Sequence, residues 1–436
     1  MSHPVALAPV APIGAHAILV FLLQLGLLLG LALLLGRLAM RLKMPAVVGE
    51  LAAGVIVGPS LLAHLAPGLS AWLLPADTSQ QHLLDAVGQL GVLLLVGITG
   101  MHIDLKLVRR KGTTAARVSA GGLLIPLAFG IGLGLMLPAF LLTPGTDRAV
   151  FAGFLGVAMC VSAIPVIAKT LLEMRLLHRN VGQLIISAAT VDDVIGWLLL
   201  SIVSALATVG LTTGSVLLSV GGLALIVLIT LTVARPVVRT TMRLAGRSAE
   251  SGVTIAAAVT LLLLAAAGTH ALGMEPVLGT LLCGILIGAS GHFDPKRIAP
   301  LRTLVISVLA PIYFATAGLR MDLTLLRDPA VLGTAVAVLA VAILGKFAGA
   351  YLGARASRMS HWEGIALGAG LNARGVIEVI VAMVGLRLGV LSTATYTIIV
   401  LVAIVTSLMA PPMLRYATRR LDVTEEEKLR EKVFDG

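Results

Sequence analysis

The sequence predicts an all-α protein that crosses a membrane many times. Of its 436 residues, 58% are hydrophobic and only 12% are charged, and the mean hydropathy is +1.04. Soluble domains have about 45–50% apolar and about 25% charged residues, so this chain lacks the polar surface that a soluble body needs. Its 47 glycines and 4% aromatic residues fit the close packing of transmembrane helices. Composition therefore excludes a soluble enzyme, a nucleic-acid-binding protein and a disordered scaffold.

Thirteen apolar segments are candidates to cross the hydrocarbon core, which takes about 20 helical residues. They are 16–37, 46–64, 82–101, 114–142, 148–173, 180–208, 213–235, 252–271, 274–290, 301–319, 330–354, 361–386 and 391–414. Residues 1–15 contain no Lys or Arg and so lack the positive segment of a signal peptide. We therefore expect an extracellular N-terminus of 15 residues and a first span that is retained.

The distribution of basic residues tests this count through the positive-inside rule. With the N-terminus outside and the C-terminus inside, 26 of the 32 Lys and Arg residues lie on the predicted cytoplasmic side and 4 on the outer side. The other two, Lys346 and Arg374, lie within spans. A wrong number of helices would scramble this asymmetry. The sequence thus predicts thirteen helices, N-out and C-in, and the +11 net charge reflects membrane topology.

Two pairs of spans are alike in sequence. The second reads VVGELAAGVIVGPS at 47–60 and the ninth reads VLGTLLCGILIGAS at 277–290. The third and tenth end in GMHIDL at 100–105 and GLRMDL at 318–323. Spans seven apart in order run in opposite directions, which predicts two inverted six-helix repeats. Many secondary transporters have this architecture, with the ion site near the midplane between the repeats.

Ionisable side chains in mid-span are costly and are candidates for function. Asp192 and Asp193 lie about 12 residues into the sixth span. Adjacent helical residues point about 100° apart, so one carboxylate can face a cavity while the other pairs sideways. Like charges in a low dielectric disfavour double ionisation, and the pair therefore suits a proton and an alkali cation in competition. Lys346 of the eleventh span is the expected counter-ion of Asp192, since a buried lysine needs a partner.

Spans five and twelve contain the irregularities of broken helices. Ser162 precedes Pro165 in span five, and proline interrupts a helix by removing an N–H donor. Span twelve has several glycines around Arg374, with Glu378 one turn further on. We expect Arg374 and Glu378 to compensate the partial charges of half-helix ends. Glu50, in the glycine-rich second span, is expected either to line the cytoplasmic funnel or to pack in an oligomer interface.

At these residues the chain resembles the monovalent cation:proton antiporter-2 family, whose membrane part is the sodium/proton exchanger domain. Its motifs are closest to the plant and yeast cation/proton exchanger branch. The matching segments are SAIPVIAKTLLEMRLL (162–177), GQLIISAATVDDVIGWLLLS (182–201), PIYFATAGLRMDL (311–323) and NARGVIEVIVAMVGL (372–386).

The resemblance implies a thirteen-helix sodium/proton antiporter fold, a homodimer, and broken helices that cross beside the ion site. By the family pattern, Asp193 binds the cation or proton, Asp192 pairs with Lys346, and Ser162 lies at the crossing. The chain departs from the pattern in two ways. The plant and yeast branch usually has Asn-Asp at 192–193, and some bacterial sodium antiporters have Thr-Asp where this chain has Ser162 and Ala163.

The spans, the internal repeat and the resemblance together predict how the chain is organised. Residues 16–415 form the exchanger domain, with repeat one at 16–208, a linker helix at 213–235 and repeat two at 252–414. Residues 416–436 form a short cytoplasmic tail, so gating by a large cytosolic nucleotide- or glutathione-binding domain is not expected.

The leading functional hypothesis is an electrogenic Na⁺/H⁺ antiporter that works by alternating access in the plasma (inner) membrane. The alternatives are a K⁺/H⁺ antiporter, a transporter of an organic solute on the same fold and, least favoured, an ion channel. We expect no enzymatic activity, no cofactor, no nucleic-acid partner and no metal other than the alkali cation at Asp193. The expected partners are Na⁺ or K⁺, H⁺, membrane lipid and a second copy of the chain.

Overall fold

The computed structural model describes residues 14–427 except 43, 76, 104, 177, 210–212, 249 and 426. Over these residues it is helical, without a β-sheet. The α-helices are α1 Ala15–Arg41, α2 Ala46–Val57, α3 Leu62–Leu65, α4 Pro67–Leu73, α5 Thr78–Met101, α6 Leu105–Met136, α7 Arg148–Cys160, α8 Ile164–Glu173, α9 Asn180–Val209, α10 Thr213–Ile229, α11 Arg235–Ala245, α12 Ser251–Ala271, α13 Pro276–Gly288, α14 Pro295–Leu304, α15 Ala310–Leu319, α16 Pro329–Ala356, α17 His361–Leu371, α18 Val376–Arg387 and α19 Thr393–Thr418.

Ten helical stretches of the described chain are long and apolar enough to cross a membrane, and α17 with α18 forms one further span bent by 46°. Two more predicted spans coincide with the shorter apolar helices α7 and α13. The prediction of an all-α multi-pass membrane fold is therefore confirmed. The count of thirteen and the N-out orientation stay predictions.

Two helices extend beyond their predicted spans. The seventh was predicted to end at Arg235, but it continues through a π-helical turn, Thr230–Ala234, into α11, where Val238 and Met242 are buried. The tenth begins at α14 rather than at 301, and the Asp294 carboxylate caps it by accepting a bond from the Lys296 N–H at 2.9 Å. Hydropathy located the apolar middle of each span, whereas capping and one-sided burial carry the helices into polar sequence.

Equivalent glycines make equivalent contacts in the two repeats. A Cβ on Gly49 of α2 would lie 2.1 Å from the Leu35 carbonyl oxygen of α1. A Cβ on Gly279 of α13 would lie 2.2 Å from the Ala265 carbonyl oxygen of α12. The two glycines are 230 residues apart, and so are their partners. The backbones at both positions are too close for any side chain, so the repeat seen in sequence is also a repeat of packing.

The helices pack into two groups. We call α6–α9 and α16–α19 the core group, because these helices pack mainly on one another. We call α1, α2, α5 and α11–α15 the panel group for the same reason. We assign α10 to the panel group because it continues through the π-helical turn into α11. Helix α9, which carries Asp192 and Asp193, contacts α10 and α13 of the panel group as well as its own neighbours. The paired carboxylates therefore lie on a helix that contacts both groups.

Candidate functional site

Two broken helices meet inside the core group. Helix α7 ends at Cys160, and α8 begins at Ile164 after three extended residues. Pro165 is the second residue of α8, where its missing N–H costs no intrahelical bond. Helix α17 ends at Leu371, and α18 begins at Val376 after four intervening residues. The two breaks touch, since the Ala163 N–H donates to the Ala373 carbonyl at 3.2 Å. We call the place where they touch the crossing.

The C-terminal end of α7 is capped by the two buried cations. The last carbonyls of a helix lack intrahelical partners and carry partial negative charge. Lys346 Nζ donates to the Cys160 carbonyl at 2.6 Å, and Arg374 Nη1 donates to the Ala158 carbonyl at 3.0 Å. Both cationic side chains were predicted to be functional because they lie within membrane spans, and both thus lie at the end of a half-helix.

Asp192 has a full set of partners. Its Oδ2 lies 2.6 Å from Lys346 Nζ, and its Oδ1 accepts a hydrogen bond from the Ser119 hydroxyl at 2.6 Å. The Ser162 hydroxyl lies 3.0 Å from Asp192 Oδ2 and 3.1 Å from the Leu371 carbonyl, and its one hydrogen can serve either acceptor. Asp192 and Lys346 are both fully buried. A buried ion pair is stabilising only when its remaining lone pairs and protons are also bonded. Here both Asp192 oxygens are bonded, and Lys346 Nζ also donates to the Cys160 carbonyl.

Asp193 differs sharply from its neighbour. It is buried at 1% exposure, and its Oδ1 has no hydrogen-bond partner within the described residues. Its carboxylate interacts with the backbone N–H of Ile164, the first residue of α8. The positive end of a helix dipole therefore faces Asp193, but no cationic side chain is paired with it among the described residues. One carboxylate of the pair is neutralised, and the other is left able to take a proton or a cation.

Arg374 and Glu378 form a second buried pair, 3.4 Å apart and one helical turn from each other. Arg374 Nη2 also donates to the Ala342 carbonyl of α16 at 2.9 Å. The Ser407 hydroxyl of α19 donates to the Arg374 carbonyl. The guanidinium thus joins α7, α16 and α18, which agrees with charge compensation as the expected role.

Glu50 lies away from this crossing. It is on α2 in the panel group, half-buried, with its side chain next to Gly36 of α1. Ser119, in contrast, belongs to the site and was not predicted. It is one of three hydroxyl residues of α6, and nothing in the pattern of that helix distinguishes it from a residue that bonds its own helix.

The chain matches the family described as sodium/hydrogen exchanger, transmembrane, over residues 27–419. It belongs to this family. The Na⁺/H⁺ antiporter NhaS4 of Synechocystis is 30% identical over 400 residues, which cover 91% of this chain and 97% of that protein. The K⁺/H⁺ antiporter 1 of Saccharomyces cerevisiae is 28% identical over 383 residues, 85% of this chain but only 43% of the yeast protein.

A solved structure has the same fold. The sodium proton antiporter MjNhaP1 of Methanocaldococcus jannaschii superposes with a TM-score of 0.70 at 18% identity, over 93% of this chain and 99% of that one. At this identity the likeness concerns the fold. The resemblance and the antiporter fold predicted from sequence are thereby confirmed, and the family is one of secondary transporters rather than enzymes.

Proposed function

We propose that this protein exchanges Na⁺ or K⁺ for protons by alternating access, with Asp193 as the group that binds the cation and the proton in turn. Family membership supports cation/proton antiport as the class of activity. One observation carries the site. Asp192 is paired with Lys346 and lies within hydrogen-bond distance of two hydroxyls, while one oxygen of the adjacent Asp193 has no partner among the described residues.

Burial makes the Asp193 carboxylate bind either a proton or a cation. An isolated carboxylate in a low-dielectric interior is costly to ionise, so it holds a proton until a cation replaces it. The N-terminus of α8 favours the ionised form only in part, since a helix end carries about half a charge. Proton and cation are therefore alternatives at one carboxylate, and this is the coupling that an antiporter needs.

The proposal favours Na⁺, with K⁺ as the alternative cation. The cyanobacterial relative is named for Na⁺/H⁺ exchange and the yeast relative for K⁺/H⁺ exchange. Carboxylate and carbonyl oxygens at the crossing suit either ion, because both are hard cations that prefer oxygen ligands. A larger organic cation is not favoured, since none of the paired aromatic rings of the described residues belongs to α7, α8 or α9.

We further propose an exchange of two protons for one cation. Lys346 is held in its charged form by Asp192. If cation binding draws Asp192 away, the lysine loses its partner and releases a proton together with the proton of Asp193. The cycle then moves one net charge, which is worth about 2.3 kcal/mol per 100 mV.

The protein is proposed to act in the plasma (inner) membrane as a homodimer surrounded by lipid. Exposed leucines such as Leu22 and Leu34 on α1 give the panel group an apolar outer surface. Such a surface suits contact with lipid or with a second copy of the chain.

Reconstituted vesicles test this function. A trapped pH dye should report proton movement on addition of Na⁺ or K⁺ but not of choline, and labelled organic solute should not accumulate. Because cation and proton compete, the apparent KM for the cation should rise on the acid side by up to about tenfold per pH unit. A KM that is flat from about pH 6 to about pH 8.5 would contradict competition at one carboxylate.

Recording on a solid-supported membrane tests the stoichiometry of exchange. It should show a cation-induced current, and exchange without current would indicate that one proton is exchanged for one cation.

A further inference from the structure

Asn372 has a buried side-chain amide without hydrogen-bond partners among the residues that the structure describes. It is the first residue after α17 and is 0% exposed. Its backbone N–H donates to the Gly368 carbonyl at 3.2 Å, so the main chain is satisfied. The side chain is not, because neither Oδ1 nor Nδ2 has a partner within the described residues. Buried polar groups are nearly always paired, and a native exception calls for an explanation such as an ion or a catalytic role.

The position of Asn372 places it beside the proposed ion site. The Leu371 carbonyl, one residue before it, lies 3.1 Å from the Ser162 hydroxyl. The Ala373 carbonyl, one residue after it, accepts a bond from the Ala163 N–H at 3.2 Å. The Ser162 hydroxyl also lies 3.0 Å from Asp192 Oδ2, and Asp193 is the next residue of α9. Asn372 and Asp193 thus flank the same short break, and each has unpaired polar atoms there.

The chemistry of an amide fits this place. A monovalent cation is neutralised by one carboxylate, and any further ligand should supply oxygen without adding charge. The carbonyl oxygen of asparagine does so and is a common ligand of hard cations. A second ionised carboxylate would instead leave an uncompensated negative charge in the interior.

We infer that the Asn372 amide oxygen is a ligand of the transported cation, shared with Asp193, and that it contributes to selectivity between Na⁺ and K⁺. This inference rests on the proposed function, since it concerns the cation of the same site. When the cation leaves and Asp193 takes a proton, the same oxygen can accept a bond from the protonated carboxyl. The amide thus serves both states of the exchange cycle.

The test compares the full-length wild type with Asn372→Leu, which keeps the volume of the side chain and removes both polar atoms. Replacing an unsatisfied polar group by an apolar one of the same shape is neutral or stabilising. We therefore expect Asn372→Leu to melt at or above the wild-type temperature in choline buffer. We also expect it to lose most of the rise in Tm that Na⁺ or K⁺ produces in the wild type. In vesicles its apparent KM should increase about tenfold or more, as loss of a ligand to a charged group implies, and by different factors for Na⁺ and K⁺.

Thr254→Val is the matched control. The Thr254 hydroxyl is also buried without a partner among the described residues, but it lies on α12 of the panel group. This variant should keep the wild-type KM for both cations and the full rise in Tm. Asn372→Ser, which keeps a neutral oxygen, should fall between wild type and Asn372→Leu.

The inference is overturned if Asn372→Leu keeps the wild-type KM values and cation-induced rise in Tm. It is overturned equally if the variant melts well below wild type in choline and both KM values change by one factor, because that pattern indicates a structural role. The outcome is separable from the proposed function. A wild type without cation-driven proton movement would refute antiport itself, whereas an active wild type beside an unaffected Asn372→Leu would refute only the ligand.

Discussion

The crossing and one end of the helix bundle hold ion pairs of similar residue types in opposite environments. At the crossing, Lys346 and Asp192 are fully buried. At the end of the bundle, Arg320 Nη2 lies 2.6 Å from both Asp85 oxygens, but the two side chains are 30% and 33% exposed. Solvent screens the second pair and not the first. The comparison shows that ion pairs of similar geometry can contribute strongly to stability in one region and very little in the other.

The end of the bundle has another property that the crossing lacks. We call Asp85, Gln89, Glu275, Arg320 and Arg387 the rim cluster. Arg387 is the last residue of α18 in the core group, and its Nη1 donates to Gln89 of the panel group at 2.5 Å. Its Nη2 lies 3.7 Å from Glu275, which precedes α13 of the same group. The rim cluster therefore joins the two groups, whereas the Asp192–Lys346 pair lies within one of them.

The largest effect is expected at Asp193. Asp193→Asn removes the charge that binds the cation and the proton, and it should abolish cation-dependent proton movement while the protein still folds. Asp193→Glu should retain some exchange with altered apparent affinity, since the charge survives but its reach changes. The measurement is dye dequenching in vesicles, with thermal unfolding as the control for folding. Wild-type exchange by Asp193→Asn would remove Asp193 from the site.

Lys346 should show the largest effect on stability. Lys346→Met leaves Asp192 buried without its counter-ion, and breaking a buried pair typically costs about 3–5 kcal/mol. The double variant Asp192→Asn with Lys346→Met removes both charges, so most of the stability should return. If the lysine carries the second proton, this double variant should also exchange ions without a cation-induced current. Equal stabilities of the single and double variants would contradict the pairing.

The sequence predicts the different roles of Asp192 and Asp193 better than it predicts the contacts of their side chains. Adjacent helical positions had to point apart, which separates the roles of Asp192 and Asp193. Depth in the membrane suggested Lys346 as the partner, but only the fold places its Nζ 2.6 Å from Asp192. Ser119 left no signal. Asn372 stood out only as part of the irregular segment of span twelve, and nothing in the sequence indicated that its amide lacks partners among the described residues. Hydrogen bonds across helices depend on where backbones break and meet. The ends of α11 and α14 were missed for a similar reason, since hydropathy does not report caps.

The rim cluster should respond to mutation in rate rather than in stability. Arg387→Gln breaks contacts between the groups, and its cost to folding should be smaller than that of Lys346→Met, because Arg387 is 34% exposed although Glu275 is buried. If motion of the groups opens the site, the exchange rate should change by a few-fold. Arg320→Gln is the control, since Arg320 and Asp85 both belong to the panel group, and it should leave the rate unchanged. Equal rate changes in both variants would show that the rim acts through net charge instead.

The smallest effect on transport is expected at the C-terminal tail, where Glu427 contacts Arg179 and the first residue of α9. Glu427 Oε1 accepts a bond from the Asn180 N–H at 2.6 Å and lies 3.2 Å from Arg179 Nε. Arg179 Nη2 also donates to the Leu421 and Asp422 carbonyls. Burial by itself raises the pKa of the Glu427 carboxyl, but the N–H groups of Thr424 and Asn180 and the charge of Arg179 outweigh it, and the pKa is lowered.

A lowered folded-state pKa fixes the sign of the pH dependence. The stabilising contribution of Glu427 is fully present above its unfolded pKa of about 4.3 and is lost as the pH falls through the folded value. Glu427→Gln should therefore lower the unfolding free energy at neutral pH by about 0.5–1.5 kcal/mol, the net value of a typical hydrogen bond. Thermal unfolding of both proteins from neutral pH to below about pH 4 should show this gap closing with acid. A gap that widens would mean that the tail is held by contacts other than the ionised carboxylate.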